Sequence, residues 1–263
     1  MAIVKKLGWS GYAKIDGVQV LVSSGNYAIE NNPSYINMAS IAPREVSRSR
    51  VLYADGTKIS NGSIAFDITV NSLVLLSVDR LLKRRRSFDV LLNDGEKGYK
   101  LATCYATSVS ITGSVGGLLN ATVSFVSKNE YTLDAEAGSL VSDEEPFGYW
   151  YSGSADAKVR EWSFNFSQDV QPMYLNQSSS TGVQRQLPKY LRVGLIDAGL
   201  EVTTFEEVNE LNNIHVATRH LTLTGVTKSK GFSFNGQTDL GTYSHSFETA
   251  ADLNIGPTQT IIS

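Results

Sequence analysis

Three histidines, His215, His220 and His245, are the residues most able to do chemistry in this chain. Three imidazoles can hold zinc, but structural and catalytic zinc sites usually add cysteine or carboxylate at short, defined spacing. No such partner accompanies these three, so no metal is expected. His220 and His245 fall in strand-like runs and His215 beside one. Cys104 sits between Thr103 and Tyr105 in an extended run, where a cysteine reads as a small core residue, not a nucleophile. The carboxylate pairs Glu144-Glu145 and Glu206-Glu207 are sequence neighbours; adjacent helical residues do not face each other, so both read as solvated charge. No phosphate loop, dinucleotide fingerprint, zincin motif or nucleophile elbow is present. The expectation is a chain without catalytic, cofactor-binding or metal residues.

Two clusters point to contact with other molecules. Lys83-Arg84-Arg85-Arg86 reads either as a wet, dipole-favoured helix end or as a surface for an acidic partner or neighbouring subunit. Its expected counterpart is the acidic stretch with Asp143, Glu144 and Glu145. Phe147, Tyr149, Trp150 and Tyr151 could form a carbohydrate platform; a core edge or an interface anchor is the plainer use of such residues.

Composition sets the frame for these residues. The 263 residues are 41 % hydrophobic and 19 % charged, enough apolar material for real cores. A formal charge of −3 gives no global attraction to nucleic acid or anionic membrane. One cysteine cannot form an internal disulfide. The start, Met1 to Lys6, lacks the apolar core of a secretion signal, and no stretch has the ~20 apolar residues of a membrane span. A protein made in the cytosol, without direct membrane binding, is expected. Asn61-Gly62-Ser63 and Asn120-Ala121-Thr122 then carry no glycosylation meaning.

The elements read as mainly β, in two similar halves. Ile64 to Ile68 alternates apolar with small or polar residues, as does Trp162 to Phe166. Val90 to Gly95 is matched by Val193 to Gly199, Ser108 to Gly113 by His220 to Gly225, and Ser124 to Ser127 by Ser246 to Thr249. The offset grows from 98 residues at Phe66 and Phe164 to 122 at Phe125 and Phe247, as loop insertions would produce. Ile64, Phe66, Ile68 and Val90 are the expected core of one half, and Trp162, Phe164, Phe166 and Val193 of the other. Asp16-Gly17 between extended runs signals a hairpin. Leu73 to Arg86 carries an apolar stripe at helical spacing, capped by Asn71 or Ser72. A shorter helix is expected from Thr204, with Glu207 completing a capping box.

The expected organisation is residues 1–49 as a hairpin or arm completing the first domain, 50–133 as a first β domain with one flanking helix, 134–148 as an acidic linker, and 149–263 as a second β domain. The arm, with Tyr12, Tyr27 and Tyr35, is expected to reach a neighbouring subunit.

Two successive β units, each strand, helix or loop, strand, turn, strand, strand, resemble the tube domain of tailed-phage tail proteins, which also underlies the inner tubes of contractile injection systems. The resemblance rests on the matched segments above, about 50–131 and 149–250. It implies two tandem tube-like sandwich or barrel domains. It also implies a trimeric, pseudo-sixfold ring, stacked in the tail tube or set at its distal end as hub or initiator, that conducts DNA on ejection. Its partners would be copies of itself and other tail proteins such as sheath, hub, tape measure or terminator; its place would be the virion. The second-half crossover, Pro172 to Pro188, is polar and serine-rich where the family has a helix. Lys83, Arg84, Arg85, Arg86, Tyr27, Tyr35, Glu144 and Glu145 are then interface candidates. Asp67, Thr69, Asn165 and Ser167 are the polar partners in the alternation, and so candidates for lumen or outer surface. The competing reading is a β-sandwich carbohydrate-binding or adhesion module using Trp150, Trp162 and nearby tyrosines.

Overall fold

The computed structural model describes residues 12–37, 51–69, 71–72, 75, 81, 86–93, 97–114, 116–134, 159–174, 187–205, 213–216, 219–222, 226–233, 241–248, 251–252, 256–257 and 261–262. The strands are β1 (Tyr12–Ile15), β2 (Val18–Asn37), β3 (Val51–Asp67), β4 (Phe88–Asn93), β5 (Gly98–Ser114), β6 (Asn120–Ser127), β7 (Thr132–Asp134), β8 (Val159–Met173) and β9 (Tyr190–Thr204). Shorter ones follow: β10 (Asn213–Val216), β11 (Arg219–Thr222), β12 (Val226–Ser233), β13 (Thr242–Glu248), β14 (Ala251–Asp252), β15 (Gly256–Pro257) and β16 (Ile261–Ile262). The chain is almost entirely β.

Six strands close on themselves in the order β5, β4, β1, β2, β3, β6 and back to β5. Closure gives each strand a partner on both sides over part of its length, which removes exposed edges there. The hairpin chemistry at Asp16-Gly17 acts as expected. Both residues have positive φ, 49° and 78°, the backbone of a two-residue turn whose twist suits antiparallel strands. Ile15 and Val18 close that turn. β1 then pairs with β4 and β2 with β3. Tyr12, Ala13, Ile15 and Val20 are buried. Residues 12–20 are therefore integral barrel strands instead of an arm reaching a neighbour; burial of their apolar side chains holds them in their own chain.

The second half adds strands to the same sheet. β5 is 17 residues long, and its two ends have different neighbours. From Phe88 to Asn93, β4 pairs with its first part. Beyond that, β8 takes the place of β4, pairing Ser108 with Ser167 through Ser114 with Glu161. β9, β13 and β12 follow outward. Ile64, Phe66, Val109, Ile111, Val123 and Phe125 from the first half share one buried cluster with Trp162, Phe164, Phe166, Leu200 and Val202 from the second.

Most of the expected core residues lie in this cluster: Ile64, Phe66, Ile68, Val90, Trp162, Phe164 and Phe166 are all at most 2 % exposed. Val193 is only half-buried. It lies where β8 and β9 pair with each other beyond the reach of β5 and β13. Described residues in all four pairs of matched segments lie in strands, yet the pairing differs. β3 lies between β2 and β6, whereas its match β8 lies between β5 and β9. β11, matched to the centre of β5, belongs to a separate three-stranded sheet with β10 and β16.

The helix expected over Leu73–Arg86 falls mostly outside the described residues. Of those described, Ser72 and Leu75 lie in 3₁₀ turns, and Leu75 and Leu81 are buried. Thr204, expected to cap a helix, is the buried end of β9, and residues 206–212 lie outside the described set. Its hydroxyl sits 3.3 Å from the buried His245 Nε2.

Candidate functional site

The alternation that buries one side of these strands aligns the other side into a single polar face. Perpendicular to the strands, register partners form rows. One row reads Asn26, Ser63, Ser124, Ser108, Ser167, Asp197. The next reads Ser24, Ala65, Thr122, Ser110, Asn165, Gly199. A third reads Leu21, Asp67, Asn120, Thr112, Ser163, Glu201, Ser246. A shorter fourth reads Ser114, Glu161, Thr203, Ser244. The third row crosses seven strands, about 29 Å at ~4.8 Å per strand.

Every residue in these rows is exposed or half-buried. The intervening residues, such as Ile64, Phe66, Val109, Ile111, Ala121, Val123, Phe164, Phe166, Leu200 and Val202, are buried. A one-residue register slip would exchange the two sets, so core burial fixes the polar face. The side chains on it are small: serine, threonine, asparagine, alanine and glycine. Leu21, at its corner, is the only large apolar residue in the rows. Hydrogen bonds order parts of the face. Ser110 Oγ donates to Asn165 Oδ1 at 2.8 Å. The Ser63 backbone N–H donates to Asn26 Oδ1 at 3.2 Å.

The charges in the rows have one sign. Asp67, Asp197, Glu161 and Glu201 are acidic, and no lysine or arginine occupies any of these positions. Asp67 and Glu201 lie in the same row, four strands and about 19 Å apart. At one corner Thr112, Ser114, Leu118, Asn120, Glu161 and Glu201 border a shallow hollow of about 330 Å³. No histidine or cysteine stands in the rows to act as base or nucleophile. The face can hold water through short hydroxyls and amides, and it can repel anions.

The four lumen-or-surface candidates divide. Asn165 and Ser167 stand exposed on this face, and Asp67 is half-buried on it. Thr69 does not belong there, being 1 % exposed. β3 ends at Asp67, and beyond it the chain turns inward, where Ser72 Oγ accepts from the Thr69 backbone N–H at 2.7 Å. Glu161, Asp197 and Glu201 were not among the candidates. Glu201 lies in the run Ala198 to Thr203, which alternates as regularly as Ile64 to Asp67; Asp197 stands just ahead of that run and Glu161 just ahead of Trp162 to Phe166.

The interface candidates are largely elsewhere. Arg86 is exposed, and its Nη2 lies 3.3 Å from Asp16 Oδ2 in the β1–β2 turn, an ion pair within the chain. Tyr27 is half-buried and packs against Tyr99 and Tyr131. Tyr35 is placed by its backbone in β2, opposite Tyr53. Lys83, Arg84, Arg85, Glu144 and Glu145 lie outside the described residues, as do Asp143 and the aromatic run from Phe147 to Tyr151.

The chain matches no protein-family model and no curated protein.

Proposed function

We propose that this chain is a structural subunit of a phage tail, forming a trimeric pseudo-sixfold ring whose lumen conducts DNA. The single observation that carries the reading is the face just described: seven strands wide, made of small polar residues, acidic, and without a cation in any of its rows. Folding requires only that such a face be tolerable to water. It does not require the absence of lysine and arginine, which are common on exposed strands.

A DNA conduit does require it. Lysine and arginine at phosphates release counterions, and this is the main source of sequence-independent DNA affinity. A wall without cations offers the passing duplex no such anchor. Scattered carboxylates add repulsion that, at physiological salt, acts only within about 8 Å. That range suits a wall that must not be touched. Short side chains also leave few projections into the passage. Subunits that continue the sheet around a ring would carry this face into an unbroken inner surface, with the barrel and its core outside it. The mechanism is then passive transmission. In the virion, other tail proteins would flank the ring, which would be made in the host cytosol.

Electron microscopy of the purified chain, with its mass in solution, tests the proposal. Rings or tubes with a central channel and little DNA affinity at physiological salt are expected. A stable monomer at high concentration, with its tail partners present, would overturn it.

A further inference from the structure

One cluster outside the polar face has a chemistry of its own. Tyr27 of β2, Tyr99 of β5 and Tyr131 just before β7 form a closed triangle. Ring centroids are 4.9 Å apart for Tyr27 and Tyr131, 5.7 Å for Tyr27 and Tyr99, and 5.8 Å for Tyr99 and Tyr131. Tyr131 is 39 % exposed, while Tyr27 and Tyr99 are half-buried.

The turn that carries Tyr131 is held from several sides. Ser60 Oγ donates to the Asn129 carbonyl at 2.7 Å, and Asn129 Nδ2 donates to the Ala102 carbonyl at 3.1 Å. The Asn129 N–H donates to Ser127 Oγ at 3.0 Å, and Lys58 Nζ lies 3.7 Å from Glu130. Tyr27 is fixed by its place in β2 opposite Gly62. Two rings held this close by separate elements need little movement to bring carbons ortho to their hydroxyls together.

The geometry points to a covalent modification site: oxidation joins Tyr27 to Tyr131 as dityrosine. Each phenol gives one electron to a one-electron oxidant and one proton to solvent. The two phenoxyl radicals couple, forming one bond between ortho ring carbons. Each ring then recovers aromaticity as its ortho hydrogen leaves as a proton and its oxygen takes one up. Net, two electrons and two protons leave. Tyr131 is the ring the oxidant reaches, and Tyr99 completes the contact without entering the bond. The link ties β2 to the segment leaving the barrel, 104 residues along the chain. This inference is independent of the tube proposal.

The test is brief photo-oxidation of the purified full-length chain with tris(bipyridyl)ruthenium, persulfate being the terminal electron acceptor. Products are followed by dityrosine fluorescence and cross-linked peptide mapping. A Tyr27–Tyr131 link within one chain is expected in the wild type and in Tyr99→Phe, and is absent from Tyr27→Phe and Tyr131→Phe. The linked protein should melt at a higher temperature than the untreated one. Absence of dityrosine in the wild type, a link through Tyr99 or another tyrosine, or links mainly between chains would overturn the proposal.

Discussion

Ser110 and Asn165 come from different halves of the sequence and meet as register partners on β5 and β8, Ser110 Oγ donating to Asn165 Oδ1 at 2.8 Å. The neighbouring pairs, Ile111 with Phe164 and Val109 with Phe166, turn the other way, into the shared core. One ladder thus does two things at the seam between the halves. It closes a common core on one side and continues the polar face on the other.

The shared core predicts joint unfolding. Phe66→Ala and Phe164→Ala should each cost about 3–5 kcal/mol, the usual loss for a fully buried phenylalanine. Because their rings belong to one cluster, either change should lower the stability of both halves together. Denaturant unfolding followed by tryptophan fluorescence and by far-UV circular dichroism should give coincident transitions. Two separated transitions, each shifted by only one of the variants, would show that the halves are independent.

Gly62 is predicted to be intolerant of even one methyl group. A Cβ there would stand 2.5 Å from the Asn26 carbonyl oxygen and 2.7 Å from Phe125 Cζ. The first neighbour is backbone within the β2–β3 ladder, and the second is a buried ring. Neither can give way without disturbing the barrel. Gly62→Ala should cost about 1–3 kcal/mol, the range for overpacking a well-filled core. By contrast Asn165→Ala, on the exposed face, should cost less than about 1 kcal/mol. Parallel urea titrations of the two variants would check this order.

The contrast also shows what local pattern could reveal. Alternation over Ile64 to Asp67, Ser108 to Gly113 and Trp162 to Phe166 was legible because burying one side of a strand imposes period two on its residues. The Asp16-Gly17 turn was legible because few dipeptides adopt two positive φ values readily. Pairing was not legible. β5 takes β4, β6, β7 and β8 as neighbours along its length, and no local rule states that one strand will serve four. Thr69 was misplaced because alternation was carried two residues past the end of β3. Glu201 was missed because its polar role depends on Ser163 and Ser246 lying beside it, contacts set by register across three strands.

Cys104 should behave as a buried, inert thiol. It is fully buried, with Sγ 3.4 Å from the Leu101 carbonyl, to which its S–H donates. Burial, and then the nearby Asp89 carboxylate, push its pKa far above the ordinary value of 9.0. The folded thiol stays protonated where the unfolded thiol ionises. Its contribution to stability is therefore complete below about pH 9 and declines as pH rises from there toward the folded value. Thiol-reactive dye should label Cys104 at the global unfolding rate at pH 8, and quickly in denaturant. Cys104→Ala should flatten the loss of stability above pH 9. Rapid labelling of the folded protein would contradict this burial.

The polar face makes the last prediction, because its function rests on what it lacks. Glu161 and Glu201 are both exposed, and their neighbours in the rows are small and polar. Replacing both with lysine should leave the fold intact, since exposed substitutions away from special features usually change stability by no more than ~0.5 kcal/mol. The two lysines would place cations where none stood in the rows. If the face lines a DNA passage, assembled rings of this variant should retain DNA that wild-type rings release. Each new phosphate contact should steepen the salt dependence by about 0.9 in log K against log salt. Glu161→Gln with Glu201→Gln removes charge without adding a cation and should show much weaker retention. DNA retention by rings of all three proteins, measured from low to physiological salt, separates the outcomes. Equal retention by wild-type and lysine rings, with assembly intact, would mean that this face points away from the channel.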